Sequence, residues 1–270
     1  DVYKRQESIS YAADFPVDPQ VMEQRLKTLQ ASYFGRSNAH STSAPEVIYV
    51  AGQPASGKST AIESVKNGHA VLDSDEIRKL HPALDEIMER DPLRMDVLTN
   101  GPVPYWMSSL IEYGRQHGRS LIIENTLSNP EFIAGEIAKF RSAGFRVKVV
   151  GLAVAQEVSR LGVVQRYLEA QRVSRYPRWT NEVSHTSGFK AIVPGLQAIA
   201  PLVDDLEIRT RDGRILSGIE DIEAERATWF DSPAIRADWL ARFDSCDLSG
   251  LEAEKLTQNL VADAERIRKL

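Results

Sequence analysis

The chain has 270 residues, of which 42% are hydrophobic and 26% are charged, so it is long enough to bury one substantial core. Its formal net charge of −5 argues against nucleic acid as a partner, because phosphate backbones are bound mainly through an excess of lysine and arginine. The single cysteine, Cys246, excludes an internal disulfide and a multi-cysteine metal site, and without a signal-peptide pattern or a bilayer-length apolar run we expect a cytoplasmic protein with no membrane partner.

The first 45 residues are predicted to form an N-terminal extension with one helix. A helical pattern opens at Asp18-Pro19 and ends near Phe34, followed by small polar residues over 37–45 that are typical of a linker. The apolar residues of one helical face are Val21, Met22, Leu26 and Leu29. The sequence therefore predicts that the catalytic domain begins at Glu46.

A phosphate-binding loop follows the first predicted strand of this domain. The sequence GQPASGKST over residues 52–60 fits G-x-x-x-x-G-K-[ST] and leads into a helix-compatible stretch, Thr60–Val65. The glycines let backbone N–H groups approach phosphate oxygens, Lys58 supplies a cation, and the hydroxyl of Ser59 is the expected Mg²⁺ ligand. The predicted nucleotide-binding residues are Gly52, Gln53, Pro54, Ala55, Ser56, Gly57, Lys58, Ser59 and Thr60. The motif thus predicts that the chain binds ATP or GTP together with Mg²⁺.

Strands and helices alternate around and after this loop, which indicates an α/β fold. The predicted strands are Val47–Ala51, His69–Leu72, Ser120–Ile123 and Arg146–Val154. Two helices, Ser74–Arg90 and Val103–His117, are predicted between the second and third strands. An Asp212-Gly213 hairpin between short strands 207–210 and 215–216 is predicted to close the domain at residue 216. Such alternation predicts a mostly parallel sheet with helices on both faces.

Residues 217–270 are predicted to form an acidic, helical C-terminal extension. Between Glu220 and Leu270, twelve acidic residues oppose seven basic ones. Helices are expected over Ile222–Phe230 and Pro233–Phe243, and a capping box over Ser249–Glu252 is expected to open a last helix. The predicted buried stripe of that helix comprises Leu251, Leu256, Leu260, Val261 and Ile267. An amphipathic helix of this kind either packs on its own domain or binds a partner.

Polar side chains stand where the second and third predicted strands end. Asp73 and Asp75 follow the second strand, at the edge that lines the ligand crevice of a doubly wound sheet. A carboxylate there can take the proton of a substrate hydroxyl during phosphoryl transfer, although either residue could instead only cap the next helix. Glu124 and Thr126 follow the third strand and are expected to face the same cleft.

A basic segment, Glu157–Arg178, carries a local charge of +3 within this acidic chain. Its arginines are Arg160, Arg166, Arg172, Arg175 and Arg178. The guanidinium fork suits bidentate contact with phosphate oxygens, whereas the alternative is a solvated helix face with local ion pairs. We expect two of the five to be functional.

Together these segments resemble the zeta toxin family of phosphate-loop kinases over about residues 46–216. The motifs that carry the resemblance are GQPASGKST, LDSDEIRKLHP, LIIENT, QRY and PRWT. The resemblance implies a nucleotide-kinase-like fold and phosphorylation of the 3′-hydroxyl of UDP-N-acetylglucosamine or a related amino sugar. It also implies a toxin that a small helical antitoxin restrains.

The resemblance also implies roles for individual residues. Lys58 and Ser59 are similar to the phosphate-loop lysine and magnesium ligand, and Asp75 to the catalytic base. The arginines that contact phosphate are implied to be Arg166 and Arg178, and the substrate and nucleotide edge is implied to be Glu124 and Thr126. At the position of the family's substrate-binding glutamate this chain has Ser108, while Glu112 lies one helical turn further along.

The sequence leaves other functions open. Because Ser108 departs from the family pattern, the kinase could act on another small hydroxylated metabolite or an antibiotic. A nucleotide-dependent switch module with a protein partner is the alternative from another class, supported by the acidic helical C-terminus. Inhibition in cis by either terminal extension is a further hypothesis.

Overall fold

The computed structural model describes residues 14–35, 44–173 and 176–270, and the predicted linker lies mostly outside this part. The strands are β1 (Glu46–Ala51), β2 (Ala70–Leu72), β3 (Leu121–Asn125), β4 (Arg146–Ala153), β5 (Asp205–Thr210) and β6 (Ile215–Leu216). The described residues form one six-stranded sheet in the order β2-β3-β1-β4-β5-β6. All neighbouring strands are parallel except β5 and β6, which pair antiparallel across the Asp212-Gly213 turn. The predicted mostly parallel sheet is therefore confirmed.

The central strand β1 lies between β3 and β4, and both of its faces are covered. Its side chains alternate between two hydrophobic clusters, with Val47 and Tyr49 in one and Ile48 and Val50 in the other. This burial explains why the strand reads as a continuous apolar run rather than an alternating one. From β1 the chain crosses first to the β2 and β3 side and later to the β4 and β5 side. A ligand crevice is expected where the direction changes, at the carboxyl end of β1.

Helices cover both faces of the sheet. In the described residues they are α1 (Pro19–Phe34), α2 (Lys58–Val65), α3 (Ser74–Arg78), α4 (Leu84–Arg90), α5 (Met95–Leu98), α6 (Val103–Gln116), α7 (Pro130–Ser142), α8 (Gln156–Val173), α9 (Glu182–Ile199), α10 (Ile222–Thr228), α11 (Pro233–Asp244) and α12 (Lys255–Ile267). One face packs mainly against α1, α6, α7 and α9, and the other against α2, α8, α11 and α12. None of the helices in this part of the chain is long and apolar enough to cross a membrane.

The helix predicted in the N-terminal extension packs directly on α6. The indole Nε1 of Trp106 donates to the carbonyl of Met22 at 2.9 Å, and the rings of Phe34 and Tyr113 stack with centroids 5.0 Å apart. Leu29 is buried in the same cluster as one face of β1. The described part of this extension therefore contributes to the core, while the predicted division of the chain at residues 45/46 and 216/217 stays a prediction.

The single helix predicted over Ser74–Arg90 is in fact two helices. α3 ends at Arg78 and α4 begins at Leu84. Pro82 lacks a backbone N–H and disfavours helical geometry at His81, so the helix cannot continue through this pair. The Nδ1 of the buried His81 accepts from the backbone N–H of Ala83 at 3.2 Å and stabilises the turn. The break turns α4 towards the cavity described below.

The C-terminal helix begins later than the capping box predicts, and part of its predicted buried stripe is wrong. Ser249 lies in a turn, where its N–H donates to Asp247 Oδ1 at 3.0 Å, and α12 begins only at Lys255. Val261 is 37% exposed, whereas the other four predicted stripe residues are buried. The stripe faces α8, where Asp263 Oδ2 accepts from Arg160 Nη1 at 2.8 Å. The helix therefore packs on its own domain, as one of the two alternatives predicted.

Candidate active site

The loop at residues 52–59 turns from the carboxyl end of β1 directly into α2. Gly57 precedes α2 and has a φ of 97°, in the region where glycine avoids the strain that other residues meet. A Cβ on Gly52 would lie 2.3 Å from the Oγ of the buried Ser56, so a side chain there would displace Ser56. These glycines let the backbone N–H groups of the loop and of the α2 N-terminus point at one anion site.

Lys58 lies across this loop. Its Nζ donates to the carbonyl oxygens of Gly52 and Gln53, both at 3.1 Å, and lies 3.9 Å from Glu124 Oε2. Burial lowers the pKa of Lys58 to about 8, and the nearby Glu124 carboxylate opposes this effect. An anionic ligand on the loop would therefore favour the charged ammonium and be bound by it.

The side chain of Gln53 anchors the loop from behind. Its Nε2 donates to the carbonyl of Val154 at 2.8 Å and to Ser159 Oγ at 3.3 Å. The same hydroxyl lies 2.9 Å from His185 Nε2, and burial lowers the pKa of His185 to about 4. A neutral imidazole thus completes a buried network that holds the loop against α8 and α9. Gln53, predicted among the nucleotide-binding residues, has a structural side chain.

A cavity of about 340 Å³ opens beside Ser59, on the β2 and β3 side of the loop. It is lined by Ser59, Asp73, Asp75, Glu76, Arg78, Lys79, Leu84, Met95, Glu124, Arg166, Ala170, Tyr176 and Arg178. Five of these are predicted site residues: Ser59, Asp75, Glu124, Arg166 and Arg178. Residues separated by more than a hundred positions along the chain therefore meet in one cavity. We call it the acceptor cavity.

Asp73 and Asp75 have different tasks although they are two residues apart. Asp73 caps α3, because its Oδ1 accepts from the N–H of Asp75 at 2.8 Å. The carboxylate of Asp75 accepts a hydrogen bond from Arg178 Nη1. Burial alone would raise the pKa of Asp75, but the charge and hydrogen bond of Arg178 outweigh it and hold the pKa below its ordinary value. Asp75 is therefore ionised at neutral pH.

The other two carboxylates of the cavity have raised pKa values. Burial raises the pKa of Asp73, and the negative charge of Asp75 adds to the effect. Burial also raises the pKa of Glu124, against the opposing charge of Lys58. Negative charge concentrated in a poorly solvated site favours the binding of a cation there. In the described residues, however, there is no ready-made cluster of three His, Cys, Asp or Glu side chains that could hold a metal ion by itself.

Two of the five arginines predicted in the basic segment reach the acceptor cavity. Arg166 Nη2 donates to Thr180 Oγ1 at 3.1 Å, and burial together with the charge of Arg178 lowers the pKa of Arg166. Two cations facing one cavity favour a multiply charged anion between them. Of the others, Arg160 forms buried ion pairs on α8, Arg172 is exposed, and Arg175 lies outside the described residues.

Arg78, for which the sequence motifs predict no role, also lines the cavity. Its guanidinium is buried and donates to the carbonyl of Asp96 at 2.5 Å and to Thr99 Oγ1 at 2.9 Å. Burial lowers the pKa of Arg78 to about 10. The signal that could have found it is its spacing, three residues after Asp75 and hence on the same helical face.

Three residues considered for substrate binding do not line the acceptor cavity. Ser108 is exposed on α6, where its hydroxyl donates to the carbonyl of Tyr105 at 3.0 Å. Glu112, one turn further along, is hydrogen bonded to Arg115. Thr126 lies beside the loop and shares a 2.8 Å hydrogen bond with Ser128. The acceptor cavity is instead formed on this side by α3 and α4.

Sequence comparisons identify relatives of this chain. The family model described as zeta toxin matches residues 30–217, which is more than half of the chain. The toxin zeta of Enterococcus hirae is 25% identical over 187 residues, covering 65% of this chain and 64% of that protein. The toxin zeta of Streptococcus agalactiae is 24% identical over 197 residues, covering 68% and 67%. The match thus spans slightly less than two thirds of the Enterococcus hirae protein.

Solved structures share the fold at lower sequence identity. A structure from the PezAT chromosomal toxin–antitoxin system of Streptococcus pneumoniae superposes with a TM-score of 0.66 at 16% identity, covering 94% of this chain and 98% of that chain. The complex AvrRxo1-ORF1:AvrRxo1-ORF2 with ATP gives a TM-score of 0.58 at 15% identity, covering 91% and 89%. The mostly parallel sheet with flanking helices is therefore the fold of these proteins too.

Proposed function

The chain belongs to the zeta toxin family, and from this premise we propose that it is an ATP- and Mg²⁺-dependent kinase that phosphorylates a hydroxyl of UDP-N-acetylglucosamine or a related nucleotide sugar. The observation that carries the proposal is the meeting, beside one phosphate loop, of an ionised carboxylate and two arginines. A nucleotide switch needs no such carboxylate beside its γ-phosphate. Phosphoryl transfer needs a base and positive charge at this place.

The donor half of the reaction is assigned to the loop. Backbone N–H groups of residues 52–59 and the N-terminus of α2 would bind the β- and γ-phosphates. Lys58, which now donates to two loop carbonyls, would donate to phosphate oxygens. Arg166 and Arg178 would neutralise charge on the group in transfer. Most of the catalysis would then come from positioning and electrostatics.

Asp75 is the proposed general base. It is ionised at neutral pH and lines the cavity next to Ser59 and Glu124, so a hydroxyl seated there can give it a proton. Arg178 contacts the same carboxylate and holds its orientation. Asp73, whose oxygen is engaged in capping α3, is less suited to this task.

The cavity also fits the proposed metal ion. The Ser59 hydroxyl and the carboxylates of Glu124 and Asp73 are hard oxygen ligands of the kind that Mg²⁺ prefers. The raised pKa values of Asp73 and Glu124 indicate that their negative charges are unfavourable in this site, so a bound cation would stabilise the ionised carboxylates. When bound, Mg²⁺ would supply charge neutralisation between the nucleotide phosphates.

The acceptor side of the cavity supports a phosphorylated substrate with a flat or apolar portion. Arg78 and Lys79 bring positive charge, while Leu84, Met95 and Tyr176 bring apolar and aromatic surface. A nucleotide sugar combines a charged diphosphate, which suits the cationic side chains, with base and sugar rings, which suit the apolar and aromatic ones. The presence of cationic and apolar side chains in one cavity supports this substrate class over an uncharged alcohol.

The test is transfer of phosphate from ATP in the presence of Mg²⁺, followed as ADP formation. UDP-N-acetylglucosamine, other nucleotide sugars, nicotinamide dinucleotides and aminoglycosides are compared as acceptors. We expect UDP-N-acetylglucosamine to accelerate ADP formation, and Asp75→Asn to slow transfer by about 10²- to 10⁴-fold while ATP still binds. Asp244→Asn, the same change at an exposed carboxylate of α11, is the control and keeps parental activity.

The outcomes separate the two parts of the proposal. Acceleration by another acceptor alone would exclude the nucleotide sugar and leave the kinase in place. Near-normal transfer by the Asp75→Asn variant would exclude Asp75 as the base. ATP binding without transfer to any acceptor would favour the switch module.

We also propose that a small helical antitoxin restrains the enzyme. The support is family membership and the fold shared with a protein of a toxin–antitoxin system. Inhibition in cis by the C-terminal extension has less support, because α10, α11 and α12 contribute no residue to the acceptor cavity. α11 and α12 pack in the same hydrophobic cluster as α8, whereas α10 packs in the cluster on the other face of the sheet.

A further inference from the structure

A second cavity, of about 280 Å³, opens between α8, α11 and the turn that follows β5. Its lining residues are Val158, Arg211, Trp229, Ala234, Ile235, Asp238, Trp239 and Arg242. It shares no residue with the acceptor cavity. Most of its wall comes from the C-terminal segment 229–242, for which the proposed chemistry has no use.

This second cavity adjoins the phosphate loop. Arg211, which follows β5, lines the cavity and donates from Nη1 to the carbonyl of Ala55, at the tip of the loop, at 2.7 Å. α8 approaches the same carbonyl so closely that a Cβ on Gly162 would lie 3.1 Å from it. The second cavity therefore borders the phosphate loop, with Arg211 in contact with both.

The two cavities lie on opposite sides of the loop along the carboxyl edge of the sheet. The acceptor cavity follows β2 and β3, whereas the second cavity follows β4 and β5, and the loop follows β1 between them. From β1 to β5 is two strand spacings, or about 10 Å. A triphosphate with its terminal phosphate towards Asp75 would thus direct its other end towards the second cavity.

The chemistry of this cavity suits a flat, electron-rich ring. Trp229 is half-buried, and its indole N–H donates to no group in the described part of the chain. Trp239 and Ile235 add apolar surface, and Trp239 is held from below by edge-on packing against Phe230. Aromatic rings and guanidinium planes are the side chains on which nucleic acid bases stack.

The two arginines of the cavity leave it with positive charge. Burial lowers the pKa of Arg211, and the charge of Arg242 adds to this. Among described residues, no carboxylate lies within ion-pair distance of Arg211, while Arg242 is 3.8 Å from the exposed Asp238. The cavity therefore favours electron-rich rings and their attached phosphates over cations or plain hydrocarbon.

We propose that this second cavity binds the nucleobase of the donor triphosphate, so that the C-terminal segment 229–242 is part of the nucleotide site. The proposal rests on the proposed function in one respect, that the donor is a nucleoside triphosphate. It assigns Trp229 and Arg211 to the base and leaves the phosphates to the loop. Segment 229–242 then contributes to nucleotide binding rather than to inhibition.

The test compares the affinities of ATP and of inorganic tripolyphosphate, which has the phosphates but no base, by calorimetry on the full chain. We expect the parent to bind ATP more tightly than tripolyphosphate. Trp229→Ala should weaken ATP binding by about 5- to 150-fold, the range for loss of one base-stacking aromatic side chain, and leave tripolyphosphate affinity unchanged. Trp229→Phe should restore most of the ATP affinity, because a stacking face remains.

Two further variants keep the test decisive. Ala234→Trp, at an exposed position on the cavity wall, should fill the space and weaken ATP but not tripolyphosphate, even if Trp229→Ala proves unstable. Tyr105→Ala, at an exposed aromatic residue of α6, should leave both affinities at the parental level.

Equal affinity of the parent for ATP and tripolyphosphate would overturn the inference, and so would unchanged ATP binding in both cavity variants. An equal loss of affinity for ATP and for tripolyphosphate in both variants would also overturn it, since the substitutions would then act on the structure as a whole. Base-dependent ATP binding without transfer to any acceptor would count against the kinase and leave the base cavity standing.

Discussion

The same substitution at Asp73 and at Asp75 is expected to change stability very differently. Asp75→Asn removes the anionic partner of Arg178, whereas Asp73→Asn removes a carboxylate whose main neighbour is another carboxylate. Asparagine caps a helix about as well as aspartate, so the Asp73 variant keeps its hydrogen bond to the N–H of residue 75. Comparing the two variants therefore separates the contribution of the ion pair to stability from that of the helix cap.

The expected loss of unfolding free energy in Asp75→Asn depends on how exposed the ion pair is. The side chains of Arg178 and Asp75 are 25% and 30% exposed. Breaking a fully buried pair costs about 3–5 kcal/mol and breaking an exposed pair about 0–1 kcal/mol, so we expect Asp75→Asn to cost about 1–3 kcal/mol. For Asp73→Asn, the lost attraction to the α3 dipole, about 0.3–1 kcal/mol, is offset by relief of repulsion with Asp75. The Asp73 variant should therefore be no less stable than the parent at pH 7.

The pH dependence of the two effects has opposite sign. The pKa of Asp75 is lowered on folding, so its stabilisation is fully present above the unfolded value of 3.8 and is lost only as pH falls below it. The pKa of Asp73 is raised on folding, so the parent loses stability as pH rises from 3.8 through that raised pKa. The stability of the Asp73→Asn variant should therefore rise relative to the parent as pH increases above 3.8, while the stability deficit of Asp75→Asn stays constant over the same range.

Urea denaturation at pH 5 and pH 7, with circular dichroism as the readout, measures both variants against the parent. An equal loss of unfolding free energy in the two variants would refute the electrostatic difference between them. A larger loss for Asp73→Asn than for Asp75→Asn would show that the cap, not the pair with Arg178, stabilises this part of the site.

Two further predictions concern the phosphate loop and the packing of the C-terminal helix. Gly57→Ala places a Cβ at a φ of 97°, so unfolding free energy should fall by about 1–2 kcal/mol and ATP affinity should fall with it; parental affinity by calorimetry would contradict the strain argument. Arg160→Ala leaves two largely buried carboxylates, Glu182 and Asp263, without their cation and should cost about 3–5 kcal/mol in urea denaturation. Arg266→Ala, at a half-exposed ion pair on the same helix interface, is the control and should cost less than about 1 kcal/mol; similar losses would exclude burial as the cause.

Local sequence determined the sheet and the phosphate loop. The apolar runs of β1 and β4 predict strands buried on both faces, and the Asp212-Gly213 turn predicts the antiparallel hairpin that follows. These features depend on residues that are neighbours along the chain. They could therefore be predicted without knowledge of the fold.

The candidate site was predicted in part. Glu124 lies near the end of β3, and Asp75 follows the neighbouring parallel strand β2. Because parallel strands of one sheet end at the same edge, the sequence predicts that these two carboxylates lie close together, as they do in the acceptor cavity. The helix break at Pro82 was missed because the apolar periodicity continues on both sides of it. Arg78 was missed because nothing in its immediate neighbours distinguishes a cavity-lining arginine from a surface one.

Only the tertiary structure decided which residues work together. Arg160 and Arg166 stand on one helix, yet the first forms ion pairs with Glu182 and Asp263 while the second faces the acceptor cavity. Arg178 reaches Asp75 across 103 positions, and Ser108 faces solvent away from the cavity. Helix periodicity predicts which residues share one face of a helix. Which other element packs against that face depends on contacts between segments that are distant along the chain. The sequence alone thus determined that a triphosphate loop sits at a sheet edge, and the fold decided what surrounds it.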